Sequence, residues 1–333
     1  MRHARRARTR ATHFVAAVLY KETPMETSPA REQQIKRLLR GTIDPHIHSG
    51  PSIAPRGLDH IELLQEAAEA GMAAVVTKDH DYSGVTTANL IARHYGHLPT
   101  KLYSGIVLNN VVGGFNPYAV EHTAAMGGKI VWLPTLAAEN HLAWEKKSAW
   151  AHPATTKKMR PATAVPATRD GKVLDEVKEV LDIVAKNDMV LAAGHLHVSE
   201  IWLVFEEAKR RGANRLVVNH PEEIIDASMN DVQGLTALGA RMEHSLCMFV
   251  KESKLKVLEA EDLRRHIEAA GVDNTIMSTD LGQSGNIRPL EGFKCGINLC
   301  LDLGYSEADI RKMFSTNAAK LFGFEALVEK MAA

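Results

Sequence analysis

The run TIDPHIH at residues 42–48 is short and mostly apolar and ends in two histidines, and the stretch LDHIELLQEAAEAG follows it at residues 58–71. The first has the length of a buried strand. The second spaces its apolar residues three or four apart, as an amphipathic helix does. The same pair of patterns recurs along the chain, so we predict parallel β-α units from residue 41 onward.

Eight apolar runs of this kind can be read from the sequence. They lie at residues 42–48, 73–80, 102–109, 129–135, 189–195, 215–220, 240–245 and 275–280. Eight strand and helix units within residues 41–322 fit a (β/α)8 TIM barrel. A doubly wound α/β sheet is the alternative, but it usually has fewer strands, and no GxGxxG loop opens a helix here.

Two segments interrupt this regular pattern. The gap between the fourth and fifth strands is long, and we interpret residues 136–171 as a lid insertion over the barrel. Residues 1–40 are interpreted as an N-terminal extension, partly disordered. Within it, residues 1–24 hold six Lys or Arg and one Glu. They read either as a targeting segment or as an extension before a natural start at Met25.

The composition excludes several classes of protein. The chain has 333 residues, with 40 Lys and Arg against 40 Asp and Glu, so a strongly basic nucleic-acid surface is not expected. Three cysteines are too few for a disulfide framework. No apolar run is long enough to span a bilayer. We expect a cytoplasmic protein that acts on a small molecule without a membrane or nucleic-acid partner, and that could form a homo-oligomer.

The histidines gather where a barrel binds its ligand, at the carboxyl ends of the strands. Seven of the 16 fall at predicted strand ends: His46, His48, His80, His195, His197, His220 and His244. Side chains two apart in a strand point to the same side. We therefore expect three same-facing pairs, His46 with His48, Lys78 with His80, and His195 with His197.

This convergence predicts a metal site. A lone HxH pair, or a lone Asp before a turn, is more often an ordinary surface feature, but here the residues come from different strands that meet at one mouth. Imidazole and carboxylate ligands suit zinc and other transition metals better than magnesium or calcium. Such an ion lowers the pKa of bound water toward neutrality. We predict one or two divalent ions per chain, with zinc the expected metal.

The motifs resemble the amidohydrolase superfamily of metal-dependent barrel hydrolases. The likeness rests on HxH in the first strand, His195 and His220 after the fifth and sixth, and Asp280 after the eighth. The chain resembles more closely an uncharacterised family within that group, with the motifs DxHxHSxP, VVxKxH, EH and STDLGQ. The implied metal ligands are His46, His48, Lys78, His195, His220 and Asp280.

Lys78 marks a departure from the superfamily pattern. Many binuclear members carry a carboxylated lysine after the fourth strand, and the run KIVWLPTLAAENH at residues 129–141 has none at that point. Lys78, after the second strand, is the candidate bridging group, since a desolvated lysine can react with CO₂. The alternative is that Lys78 contacts substrate or Asp44, and that the site holds one metal.

The resemblance also implies catalytic roles. Asp280 would bind metal and relay a proton from water to the leaving group. His220 and His244 would bind a second metal or polarise a substrate carbonyl. Lys78 is predicted to be a catalytic residue as well. Arg56 would recognise a substrate carboxylate, or would be a solvated loop charge. Substrate contacts are predicted at Arg56, His80, Asn109 and His197.

The function expected from these features is metal-dependent hydrolysis of an amide, cyclic amide or lactone. Three alternatives stay open. One is a metal-dependent decarboxylase of the same superfamily. Another is a PHP-type phosphoesterase, because the run TKDHD at residues 77–81 is similar to its second-strand motif, although Leu281 and Gly282 replace its closing DxH pattern. The last is a metal-binding barrel without catalysis.

Overall fold

The computed structural model describes residues 27–147 and 157–332. The basic segment at residues 1–24 lies outside the described residues, and so do residues 148–156 of the predicted insertion. Residues 29–39, placed by the sequence in the extension, form a helix that begins after the Ser28 cap and buries Ile35, Leu38 and Leu39.

The strands of the described chain follow the predicted order. They are β1 (Ile43–Ile47), β2 (Ala74–Thr77), β3 (Lys101–Ser104), β4 (Ile106–Val107), β5 (Ile130–Trp132), β6 (Thr168–Arg169), β7 (Lys172–Val173), β8 (Val190–Ala192), β9 (Leu216–Asn219), β10 (Arg241–Ser245) and β11 (Thr275–Ser278). All eight predicted runs contain strand residues. The third run is split at Gly105, where a Cβ atom would lie 1.9 Å from the carbonyl oxygen of Ile130.

Helices occupy the spaces between the strands. They are α1 (Pro29–Leu39), α2 (His60–Glu69), α3 (Val85–Tyr95), α4 (Pro117–Ala125), α5 (Glu139–Glu145), α6 (Asp175–Lys186), α7 (Val198–Arg210), α8 (Met229–Leu238), α9 (Ala260–Ala270), α10 (Pro289–Asp302), α11 (Glu307–Arg311), α12 (Asn317–Phe322) and α13 (Glu325–Ala332). A π-helical turn, Lys312–Thr316, joins α11 to α12. Among the described residues, no helix combines the length and apolar character needed to cross a lipid bilayer.

The fold is α/β with parallel sheets. The strand pairing gives one sheet in the order β1-β2-β3 and another in the order β11-β10-β9-β8-β5-β4, while β6 and β7 form a separate antiparallel hairpin. Backbone hydrogen bonds link the two parallel sheets just past the strand ends. The amide of Asp280 donates to the carbonyl of His46 at 2.8 Å, and the amide of His48 donates to Leu281 at 2.8 Å.

The interior between the strands is divided into an apolar lower part and a polar upper part. The lower part includes the fully buried side chains of Ile43, Val107 and Trp132 and is closed by Phe322 and Phe324 near the C-terminus. The histidines at the strand ends lie above it, and the ring centroid of His46 is 6.3 Å from that of Trp132. This apolar layer therefore lies beneath the polar site.

The described part of the predicted insertion packs onto the strand ends. Helix α5 buries His141, and the Asn140 amide group donates to the carbonyl oxygens of His195 at 3.2 Å and Ile224 at 2.5 Å. These bonds connect α5 to the loops that follow β8 and β9. Movement of this segment as a lid stays a prediction.

Candidate active site

Three side chains, from the ends of the first strand β1 and the last strand β11, meet at one point. The Nε2 atoms of His46 and His48 lie 3.2 and 2.9 Å from the same carboxylate oxygen of Asp280. One ligand atom from each residue lies within 4.8 Å of the other two, so the three groups could hold a metal ion together. Lys78 Nζ lies 3.1 Å from His46 Nε2. The predicted same-facing pair on the first strand is confirmed.

The second nitrogen of each histidine is also held. His46 Nδ1 lies 2.8 Å from a carboxylate oxygen of Glu243, and His48 Nδ1 lies 2.9 Å from the backbone carbonyl of Lys78. A carbonyl oxygen only accepts, so the His48 ring donates from Nδ1, and in the neutral ring this leaves Nε2 available to bind a metal ion. Metal-binding histidines are commonly oriented in this way, by a carboxylate or carbonyl on the far side of the ring. The arrangement therefore fits a metal site.

Asp44 ties the first strand to the last. Its carboxylate accepts hydrogen bonds from the His46 amide at 3.3 Å, the Thr279 amide at 3.1 Å and the Thr279 hydroxyl at 2.6 Å. Thr279 immediately precedes Asp280, which has a φ of 53°. Because a non-glycine residue rarely adopts this backbone conformation, the flanking contacts are needed to hold it. Asp44 thus positions two of the three candidate ligands.

Further histidines line the same cavity from other strands. The ring centroids of His195 and His220 lie 4.9 Å apart, and those of His220 and His46 lie 6.1 Å apart. His80 stacks on His48 at 4.9 Å and contacts the Thr135 hydroxyl at 2.8 Å. The structure therefore brings His80, His195 and His220 to the site, as expected, although they lie outside the tight group formed by His46, His48 and Asp280.

Helix α5 adds a histidine that the sequence analysis missed. His141 is fully buried and its Nδ1 lies 2.9 Å from His195 Nδ1. Trp144, one helical turn later, lines the cavity. Residues three apart lie on the same face of a helix, so α5 presents both side chains toward the site. The only signal in the sequence was this i,i+3 spacing within the insertion.

Glu243 is the second missed residue, and it corrects the prediction for His244. Side chains alternate along β10, so Glu243 faces His46 while His244 faces the opposite side. There His244 hydrogen-bonds the Glu222 carboxylate and lies 5.9 Å from the His266 ring, and its side chain is fully buried. The structure does not place His244 in the cavity, so its predicted role beside substrate lacks a geometric basis.

Two predicted substrate contacts also lie elsewhere. His197 does not share a face with His195, because β8 ends at Ala192 and His197 caps the exposed start of α7. That geometric prediction is wrong. Asn109 is buried and ties loops together: its amide donates to the His80 carbonyl and the Thr135 hydroxyl, and its oxygen accepts from the amides of Thr135 and Ala137. Neither residue lines the cavity.

The cavity above the three groups has a volume of about 310 Å³. Arg56 lines it and is partly buried, in a loop that pairs with Gln283. The described chain therefore places the predicted carboxylate-binding residue at the cavity and not on an open surface.

Burial and neighbouring charges set the protonation of the site. Burial opposes protonation of His46, but the carboxylates of Asp280 and Glu243 outweigh it and raise its pKa to about 9. Burial lowers the pKa of His48 to about 3, helped by the charge of Arg56, and lowers that of His220 to about 4. Neutral imidazoles are the form that binds metal, and a bound cation would displace the proton from His46.

The pKa values of Asp280 and Lys78 are both lowered, but for different reasons: neighbouring histidines dominate at Asp280, and burial dominates at Lys78. Burial raises the pKa of Asp280, but His46 and His48 outweigh this effect and hold the pKa well below the usual range. Burial lowers the pKa of Lys78, against the opposing carboxylates of Asp280 and Glu243. Lys78 is 2% exposed. A buried amine with a lowered pKa has the chemistry needed for carboxylation.

The chain belongs to the family of unknown function DUF6282, whose sequence model matches residues 41–243. A search of curated proteins gave no match.

Solved structures of low sequence identity share the fold. An amidohydrolase from Pseudomonas aeruginosa is 13% identical, with a TM-score of 0.60, 89% of this chain and 98% of that chain covered. A protein described as a 2-pyrone-4,6-dicarboxylic acid hydrolase from Pseudomonas putida is 14% identical, with a TM-score of 0.53 and coverage of 86% and 98%. A 2,6-dihydroxybenzoate decarboxylase from Rhizobium is 12% identical, with a TM-score of 0.50 and coverage of 86% and 99%. The chain therefore shares its fold with these proteins, as the resemblance implied.

Proposed function

We propose that the chain is a metal-dependent hydrolase that cleaves an amide, cyclic amide or lactone bond of a small molecule. The observation that carries the proposal is the convergence of His46, His48 and Asp280, with Lys78 beside them, at the floor of a cavity at the strand ends. The eight strand units are taken to form a barrel around this point, with the insertion after the fourth as its lid.

The chemistry of the three groups favours zinc over magnesium or calcium. When bound, such an ion acidifies water and polarises a carbonyl group. His46, His48 and Asp280 would hold it. A second ion would need His195, His220 and a carboxylated Lys78, and we propose that this group forms only when Lys78 is carboxylated.

Asp280 has the position of the proton carrier. Its carboxylate is ionised, since its pKa is well below the usual range, and it lies on the cavity wall. It can take a proton from the attacking water and return it to the departing nitrogen or oxygen. His220, also on the cavity wall, accepts a hydrogen bond at Nε2 from the Asn219 amide group at 2.7 Å, so its neutral ring carries the proton on Nδ1. From there it can donate a hydrogen bond to the oxygen of the scissile carbonyl. Glu243 and Asp44 keep the acting groups in place.

Decarboxylation is the second candidate. It is favoured by the single tight ligand group, which in the described residues comprises His46, His48 and Asp280 and could hold one ion. A neighbour in fold is named as a decarboxylase. Release of CO₂ from aromatic or unsaturated acids, measured beside hydrolysis, separates the two reactions.

Metal analysis of the purified full chain tests the proposal first. We expect one or two transition-metal ions per chain, and near-complete loss in the His46→Ala, His48→Ala double variant. His197→Ala is the matched control, because His197 lies exposed at the start of α7. A double variant that keeps its full metal content contradicts the assignment. A hydrolysis screen over amides, lactones and phosphoesters then identifies the bond that is cleaved.

A further inference from the structure

The cavity has two chemically different halves. Its floor carries the candidate metal centre, with Arg56 at one side. Its lining also includes six apolar side chains, which we call the upper wall: Leu136, Trp144, Ile224, Met248, Leu255 and Val257. These side chains come from the segments after β5, β9 and β10. The upper wall is therefore built from the segments that follow three different strands.

Arg56 is the floor residue whose bonding capacity is least used. Among the described residues, Arg56 donates a long hydrogen bond from Nη2 to the Ser52 hydroxyl at 3.5 Å, and its buried Nε has no hydrogen-bond partner. Burial lowers the pKa of Arg56, against the opposing charges of Asp79, Asp280 and Asp81, yet none of these carboxylates forms an ion pair with it among the described residues. A guanidinium offers five N–H donors in a planar fork that matches a carboxylate. A partly buried cation whose buried Nε has no partner gains from an anionic ligand.

We propose that the substrate is an amphiphilic carboxylic acid. Its carboxylate binds Arg56, its apolar body lies against the upper wall, and the bond to be broken lies between them, above His48 and Asp280. This assignment of the substrate class rests on the proposed function. A cavity of about 310 Å³ is at the lower end of the range for small-molecule sites, which suits a single ring with a short acid chain.

The charge half of the proposal is tested by binding, without turnover. Isothermal titration of the metal-loaded full chain compares 3-phenylpropionate with its neutral counterpart, 3-phenylpropionamide. We expect the acid to bind at least tenfold more tightly than the amide. In Arg56→Met the ratio of the two affinities is expected to fall at least fivefold. Arg169→Met is the control, because Arg169 lies exposed on the β6-β7 hairpin.

A carboxylate could instead bind the metal ion directly. In that case Arg56→Met would keep the preference for the acid, and this result overturns the proposal. Equal affinities for acid and amide in the unaltered chain overturn it as well. If Arg56→Met does not fold, Arg56→Lys takes its place. It keeps the charge but not the planar fork, and we expect it to reduce the ratio by a smaller factor.

The apolar half is tested at Val257, which is 53% exposed at the rim of the cavity. We expect 3-phenylpropionate to bind more tightly than acetate. The ratio of these two affinities is expected to fall at least twofold in Val257→Ser. An unchanged affinity ratio overturns the proposed role of the upper wall. Turnover assays keep the two proposals apart. Hydrolysis without acid selectivity contradicts the substrate class, whereas acid selectivity without any hydrolysis contradicts the proposed function.

Discussion

At the scale of the residue, each acting group depends on a partner behind it. His46 is held by Glu243, His48 by the Lys78 carbonyl, and Asp280 by the hydrogen bonds of Asp44 to its neighbour Thr279. These contacts fix the tautomers and directions of the rings. Each acting group is thus oriented by a protein group behind it.

Asp280→Asn is the sharpest change at this scale. The amide keeps the shape of the side chain but cannot accept a proton, so we expect turnover to fall by about 10²–10⁴-fold. Weaker metal binding would add to the loss. Melting temperature and metal content are measured alongside the rate. An active Asp280→Asn protein with its full metal content would rule out the hydrolytic mechanism proposed above.

The alternation along β10 gives a paired prediction. Glu243→Gln removes the charge behind His46, and we expect metal affinity to fall by about 10–100-fold. His244→Ala should leave metal affinity nearly unchanged. It would instead lower the free energy of unfolding by about 3 kcal/mol or more, since Glu222 would be left as a buried charge without its partner. Metal titration and chemical unfolding of both variants check this. The reverse pattern would restore His244 to the active site.

At the scale of the element, the alternation of side chains along a strand predicted which residues share a face only as far as the strand extends. It predicted the common face of His46 and His48 on β1, and it would have selected Glu243 over His244 on β10. It failed for His197, because β8 ends before Gly194, which has a φ of 63°. A turn of this kind resets the direction of every later side chain, and no periodicity in the sequence reveals it.

Helix α5 supplies the prediction at this scale. His141→Ala removes the hydrogen bond to His195, and we expect activity or metal affinity to fall by about 10–100-fold, as for other partners behind metal-binding histidines. His141→Gln, which can still hydrogen-bond, should recover part of the loss. His122→Ala is the control, because His122 lies exposed on α4. Metal affinity measured at equilibrium tests the positioning role directly. If His141→Ala equals the control in both readouts, α5 is only a covering segment.

At the scale of the whole molecule, the order of strands and helices could be predicted, but the contacts made by distant segments could not. The eight apolar runs all contain strands, because buried parallel strands require apolar residues whatever they pack against. The position of α1 depends instead on partners far along the chain. Arg31 pairs with Asp302 of α10 at 3.1 Å, and the Arg37 carbonyl accepts from Arg311 at 3.1 Å. Local sequence patterns carry no trace of such pairings.

Two truncations test how α1 contributes to the fold. A chain that begins at Met25 should melt within about 2 °C of the full chain, because the removed segment is basic, poor in acidic residues and not part of any strand or helix predicted from the sequence. A chain that begins at Gly41 also loses α1, whose Ile35, Leu38 and Leu39 are each at most 3% exposed. Burial of one such side chain is worth about 1.5–3 kcal/mol, so this truncation should lower the free energy of unfolding by several kcal/mol. It also uncovers apolar side chains of α10.

Thermal and urea unfolding of the full chain and of the two shortened chains measure these differences in stability. Equal stability of the two shortened chains would mean that α1 is not part of the cooperative unit.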